Sequence, residues 1–216
     1  MEHATKPGQI IILNGAPRSG KSSIAAVIQE AFDGVWMNLG VGASIYSTPE
    51  RYRPGIGLRP GPGDGQLGGD RPELEPLVPA LYAALYESIA AHSRLGLNVV
   101  ADTTHHGAIH PGLLADCARR LAGLPVLFVG VRCPIEVIME RRKASKPGRY
   151  VIGSPSDPIP APARLWQEEV HKPGIYDLEV DTSLLIPEQC AEAIRRRLEE
   201  GPPPTAFERL AASSSL

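Results

Sequence analysis

Four residues near the start of the chain, Gly15, Gly20, Lys21 and Ser22, stand in the spacing G-x-x-x-x-G-K-[ST]. Glycines let the backbone curl so that successive N–H groups face an anion. A helix opening at Lys21 adds the positive end of its dipole. The pattern therefore assigns Gly15, Ala16, Pro17, Arg18, Ser19, Gly20, Lys21, Ser22 and Ser23 to a nucleoside triphosphate. Lys21 would reach the β- and γ-phosphates, and the Ser22 hydroxyl would hold Mg²⁺. ATP and GTP both satisfy such a loop, which reads phosphates and not bases. The flanks strengthen the reading: an apolar run at 10–13 precedes the loop, and Ile24, Ala25, Val27 and Ile28 form a helical stripe after it.

The next carboxylate placed to act is Asp102, at the end of the run 98–101. Ligands of open α/β sheets bind at the carboxyl edge of the strands. An acid there can hold Mg²⁺ beside Ser22, although Asp-Thr-Thr is also good helix-capping chemistry. Phosphoryl transfer also needs cations on the moving group. Arg141, Arg142, Lys143, Lys146 and Arg149 could supply them from a lid near 141–162, with Arg141 and Arg149 first. The other reading is a solvated helix end, which cations suit. Arg18 either touches phosphate or faces water, and Arg132 lies at the same productive edge. His105, His106 and His110 have no cysteine or H-E-x-x-H partner, so a substrate-pocket wall or plain surface is favoured over zinc.

These groups must be positioned by alternating elements. Apolar runs at 10–13, 35–39, 98–101, 125–131 and 178–180 read as strands. Helical patterns lie at 22–32, 73–95, 113–121, 134–143, 163–170 and 187–200. The alternation predicts an α/β fold of the P-loop type: a doubly wound parallel sheet of about five strands with helices on both faces. One domain over 1–200 accounts for the length. Residues 49–72 hold five prolines and seven glycines in 24 positions, which resists regular structure and suits a substrate loop near 44–72. Residues 201–216 open on three prolines and end in Ser-Ser-Ser-Leu, and are expected to be a loosely ordered tail.

Composition narrows the class. A net charge of −2 gives no reason to expect a nucleic-acid or membrane surface, and 43% hydrophobic residues is ordinary for a globular protein. The first eight residues carry no apolar signal segment. Cys117, Cys133 and Cys190 are dispersed and odd in number, which suits reduced thiols in a cytoplasmic protein. Oligomeric state has no marker in the chain.

Taken together, the landmarks resemble the chloramphenicol phosphotransferase family, small P-loop kinases that phosphorylate an antibiotic hydroxyl. The resemblance is carried by Ile11-Ile12-Leu13-Asn14-Gly15 with Gly20-Lys21-Ser22, by Gly40-Val41 and by the strand ending at Asp102. It continues in Val129-Gly130-Val131-Arg132-Cys133, Val170-His171, Tyr176-Asp177 and Glu179-Val180-Asp181-Thr182. The resemblance implies ATP, Mg²⁺ and a hydroxyl acceptor. It also implies an aspartate after Gly-Val, acting as the base that takes the acceptor's proton. This chain has Gly42 there.

A missing base costs about 10²–10⁴-fold where general-base help matters, yet phosphoryl transfer leans mostly on positioning and charge. Three readings stay open. One is a kinase for an antibiotic such as chloramphenicol, or a related natural product, with Lys21, Asp102 and Arg141 as its catalytic groups. Another is a nucleotide-binding protein with weak or no transfer. The third is a kinase for a nucleoside, sugar or other metabolite. Asp102 is the favoured replacement carboxylate, with Glu50 and Asp64 able to swing in. Arg51, Arg53, Arg59 and Tyr52 suit a polar or anionic acceptor as well as they suit a surface loop.

Overall fold

The computed structural model describes residues 6–52, 72–107, 110–145, 150 and 152–213. Five strands form one parallel sheet: β1 (Ile10–Asn14), β2 (Trp36–Asn38), β3 (Asn98–Thr103), β4 (Val126–Arg132) and β5 (Leu178–Asp181). Their order is β2-β3-β1-β4-β5, so the first strand lies at the centre and the chain crosses over it. Such a crossover leaves a crevice at the carboxyl ends of the strands. Register puts Leu13 opposite Asp102 and Val129, and Asn14 opposite Thr103 and Gly130.

Both faces are covered, which is why β1 is apolar at every position but its last. Side chains still alternate between faces. Ile10 and Ile12, Val99 and Ala101, and Val126 and Phe128 point to one core. Ile11 and Leu13, Val100, and Leu127 and Val129 point to the other. The second core is closed by α1 (Lys21–Ala31) and α7 (Pro187–Glu200), through Ile24, Ile28, Cys190 and Ile194. The first is closed by α2 (Val41–Ser47), α3 (Val78–Arg94), α4 (Leu113–Arg120) and α8 (Ala206–Ala212). Between β4 and β5 run α5 (Ile135–Lys143) and α6 (Ala161–Glu169). Among the described residues no helix is long and apolar enough to cross a membrane.

The sequence reading differs from this fold in three places. The helix expected over 73–95 begins as a 3-10 stretch, Pro72–Leu77, because Pro76 has no N–H to continue an α-helical ladder. Residues 41–47 form a helix that the pattern did not suggest. Residues 201–213 are not a loose tail. Ala206, Phe207 and Leu210 of α8 are buried against Tyr86, Phe128, Cys117 and their neighbours. Asp177 Oδ1 fastens the helix start by accepting from the N–H groups of Thr205 and Ala206 at 2.8 and 3.0 Å. Residues 214–216 lie outside the described part.

Candidate functional site

The strand β1 ends at Asn14, and the chain turns sharply before α1. Two residues with positive φ make that turn, Arg18 at 75° and Gly20 at 102°. The conformation is easy for glycine and strained for arginine. Arg18 is held in it by the partner of its own side chain, since its Nε and Nη2 donate to the Arg141 carbonyl at 3.2 and 2.9 Å. Arg18 thus binds a backbone carbonyl while it lines the cavity at the phosphate loop.

Lys21 is the first residue of α1, and its ammonium group folds back over the loop. Nζ donates to the carbonyls of Gly15 and Ala16 at 2.7 and 2.9 Å. Only 6% of the residue is exposed. Burial lowers its pKa to about 8, with the Asp102 charge pulling the other way. A buried cation at the mouth of a concave loop asks for an anion. Ser19 adds a buried hydroxyl that has no partner among the described residues. Both observations fit a phosphate chain lying against residues 15–23.

Ser22 and Asp102 come together across 80 positions of sequence: the Ser22 hydroxyl donates to Asp102 Oδ2 at 2.8 Å. Adjacent oxygen ligands of an octahedral Mg²⁺, with bonds of about 2.0–2.1 Å, lie roughly 2.9 Å apart. The hydroxyl and carboxylate therefore already have the spacing of two neighbouring ligands of that ion. Space for Asp102 is made by Gly40, the residue before α2. A Cβ there would fall 1.8 Å from Asp102 Oδ1 and 2.5 Å from its backbone nitrogen. Gly42, one turn position into α2, faces the same carboxylate. A Cβ at 42 would stand 3.6 Å from both Asp102 oxygens, an ordinary contact.

Arg141 closes the other side. Its Nη1 donates to Thr182 Oγ1 at 3.0 Å and to the Arg18 carbonyl at 3.3 Å, and Nη2 donates to the Thr182 carbonyl at 2.7 Å. Thr182 in turn donates to the Ser19 carbonyl at 2.6 Å. The arginine is thus a clamp between α5, the phosphate loop and the end of β5. A cavity of about 540 Å³ extends from Lys21 and Ser22 past Arg141 and Tyr150 to Ile186 and Pro187. That size is within the range of nucleotide and drug-sized sites.

Arg132 ends β4, at the carboxyl edge that its sequence position indicated, and is paired with Glu179 at 2.5 Å. Arg142 is buried, with its guanidinium 5.8 Å from the Tyr150 ring. Glu50 is exposed in the 3-10 turn Glu50–Tyr52, and Arg51 lies 4.9 Å over the Tyr52 ring. Arg149 and Lys146, and Arg53, Arg59 and Asp64, lie outside the described residues, as does most of the expected substrate loop and part of the expected lid.

Sequence reasoning gave no task to Asn14, Thr182 or Tyr176, and the structure gives each one. Asn14 donates to the Val170 carbonyl at 2.7 Å and to the Tyr176 hydroxyl at 2.9 Å, while its Oδ1 accepts from the His105 N–H at 3.0 Å. His171 Nδ1 shares the Tyr176 hydroxyl at 2.9 Å. The Tyr176 ring lies on Gly130, where a Cβ would meet it at 2.8 Å. The separate landmarks 14, 130, 170–171 and 176 are therefore one network beneath the phosphate loop. The available signal was a single asparagine ending an otherwise apolar strand.

Comparison with known proteins agrees with this arrangement. The family model described as chloramphenicol phosphotransferase-like protein matches residues 8–199. A curated protein of Mycobacterium tuberculosis, given the provisional description O-phosphotransferase, is 26% identical over 210 residues, 94% of this chain and 88% of the relative. Among solved structures, a sugar kinase from Janibacter superposes with a TM-score of 0.58 at 17% identity, covering 96% of this chain and 100% of that one. The tunicamycin resistance protein of Deinococcus radiodurans gives 0.57 at 18%, covering 89% and 96%. The APS kinase of M. tuberculosis, solved with AMPPNP and APS, gives 0.54 at 14%, covering 90% and 99%. At such identities the three structures speak for the fold.

Proposed function

The chain belongs to the chloramphenicol phosphotransferase-like family, and from that premise we propose that it is an ATP-dependent kinase acting on a hydroxyl of a small molecule, an antibiotic or related natural product. The observation that carries the reading is the Ser22–Asp102 pair at 2.8 Å beside the buried Lys21 ammonium. Mg²⁺ held by Ser22 and Asp102 would neutralise charge on the phosphate oxygens. Lys21 would leave its two loop carbonyls for the β- and γ-phosphates. Backbone N–H groups of 18–22 would orient the phosphate chain, and Arg141 would add positive charge while holding the loop in shape. Asp102 also faces the corner at Gly42, so the oxygen that does not hold the metal would take the acceptor's proton.

Transfer forms a bond from the acceptor oxygen to the γ-phosphorus as the bond to the β-phosphate oxygen breaks, and the hydroxyl proton leaves to a base. GTP fits the loop as well as ATP does. A drug modified in this way would lose contacts with its target, which amounts to resistance.

Gly42 favours a second reading, a nucleotide-binding protein with little or no transfer. ADP release separates the two, measured with ATP, Mg²⁺ and a panel of hydroxylated antibiotics. Turnover that vanishes in Lys21→Ala, with the melting temperature retained, supports the kinase. Full activity in that variant, or no turnover with any acceptor, overturns it.

A further inference from the structure

A loop that offers its N–H groups to an anion still has carbonyls to satisfy. Side chains take four of them here. Lys21 Nζ holds those of Gly15 and Ala16. Arg141 Nη1 holds that of Arg18 at 3.3 Å, and the Thr182 hydroxyl holds that of Ser19 at 2.6 Å. The first two are the bonds that Lys21 would give up for phosphate. The shape of the loop would then rest on Arg141 and Thr182.

Arg141 is held in return. It lies in the last turn of α5, where the final carbonyls have no partner within the helix. The Arg141 carbonyl accepts instead from Nε and Nη2 of Arg18, at 3.2 and 2.9 Å, and from the Ser145 hydroxyl at 2.8 Å. A guanidinium at a helix C-terminus also suits the helix dipole. Each arginine therefore donates to the backbone carbonyl of the other, across 123 positions of sequence.

This exchange accounts for an arginine in an awkward place. At a φ of 75° glycine turns without strain and arginine does not. What the side chain adds over glycine is the bond to α5. Arg18 and Arg141 both line the cavity at the phosphate loop, as does Tyr150, whose ring centre lies 5.8 Å from the Arg18 guanidinium. The strap between loop and helix thus borders the space that a nucleotide would fill.

We propose that Arg18 is a positioning residue: its exchange of hydrogen bonds with Arg141 fastens α5 to the phosphate loop, sets the loop's shape before nucleotide arrives, and keeps it once Lys21 has turned to phosphate. The proposal rests on the kinase reading for its nucleotide site alone, since binding is measured without transfer.

The test uses the full chain, AMPPNP with Mg²⁺ as the probe, and two variants. Arg18→Asn keeps a residue that tolerates positive φ but is too short to reach α5. Arg18→Lys keeps the charge and loses the fork of two nitrogens that shares the Arg141 carbonyl. In nucleotide-free protein, the amides of α5 should exchange hydrogen faster in Arg18→Asn than in the parent, while thermal unfolding stays cooperative. The Kd for AMPPNP should rise about tenfold or more in that variant, the effect of losing hydrogen bonds from a charged group. Arg18→Lys should fall between the two proteins in both measurements. Unchanged α5 exchange in Arg18→Asn overturns the proposal, because the free protein then holds no strap. An Arg18→Lys protein that binds AMPPNP like the parent, while its α5 exchanges as fast as in Arg18→Asn, overturns it too, since charge alone then sets affinity. ADP release keeps the two ideas apart. A parent that binds AMPPNP but releases no ADP with any acceptor sinks the kinase and retains the strap. Turnover in the parent, with equal AMPPNP affinity in Arg18→Asn, retains the kinase and sinks the strap.

Discussion

The Ser22 hydroxyl and Asp102 Oδ2 meet at 2.8 Å although α1 and β3 bring them from opposite ends of a long crossover. The contact is possible because Gly40 leaves the carboxylate room. If both oxygens hold one Mg²⁺, their removal should not be additive, since the second loss strikes a site already broken. Asp102→Asn should lower kcat by about 10²–10⁴-fold, as both metal and proton acceptor suffer. Ser22→Ala should mainly raise the Mg²⁺ concentration needed for half-maximal ADP release. Additive effects in the double variant would separate the two residues into independent roles.

Gly42 offers a paired experiment on the acceptor side. A methyl group there makes only ordinary contact with Asp102, and the position is helical. Gly42→Ala should therefore stabilise the fold by about 0.5–1 kcal/mol, read as a higher melting temperature. Gly42→Asp should raise kcat for the acceptor at least tenfold, with KM for ATP unchanged. The new carboxylate would face Asp102, and like charges raise the pKa of one of them. The gain should thus be larger at pH 8 than at pH 6. Zero turnover in both proteins at either pH, against a broad panel of hydroxyl acceptors, would favour a protein that binds nucleotide without transferring phosphate.

What the sequence disclosed was what is local. The phosphate loop needs its glycines, Lys21 and Ser22 within eight positions, so spacing alone identified it. Buried parallel strands announce themselves as apolar runs, and all five were found. Asp102 was legible because a strand end marks the binding edge. The clamp from Arg141 to Thr182 was not, since its partners lie 41 residues apart and neither forms a motif with the other. Helix α2 was hidden for a similar reason. Gly-Val-Gly-Ala-Ser has weak helix propensity, and the segment is held by Val41 and Ile45 packing into the sheet's core.

The last helix was masked by the prolines before it, and its burial yields a stability prediction. Phe207 is 6% exposed, stacked on Tyr86 at 6.4 Å and edge-on to Phe128 at 5.0 Å between ring centroids. Phe207→Ala should cost about 3–5 kcal/mol, seen in urea as a lower midpoint with an unchanged slope. Ending the chain at Glu200 should cost at least as much, because it also strips Asp177 Oδ1 of two N–H donors. A truncated protein with the parent's midpoint would return the segment to the status of a tail.

Acid should expose the network under the phosphate loop. His171 is 8% exposed, and burial, helped by the charges of Arg132 and Lys21, pulls its pKa down to about 4. In the unfolded chain the same ring titrates near 6.5. Between those values the unfolded state binds a proton that the folded state refuses, so stability rises with pH across that window. Above pH 6.5 the contribution is fully present, and it fades as pH falls toward 4. The neutral ring shares the Tyr176 hydroxyl, and that hydroxyl also receives Asn14. Protonation should therefore loosen Asn14 and the loop that follows it. His171→Gln removes the titration and keeps a hydrogen-bonding side chain. Its denaturation midpoint should fall less between pH 6.5 and 4.5 than that of the parent, although it starts lower at pH 7.5. Parallel pH profiles for the two proteins would remove His171 as a source of the acid sensitivity.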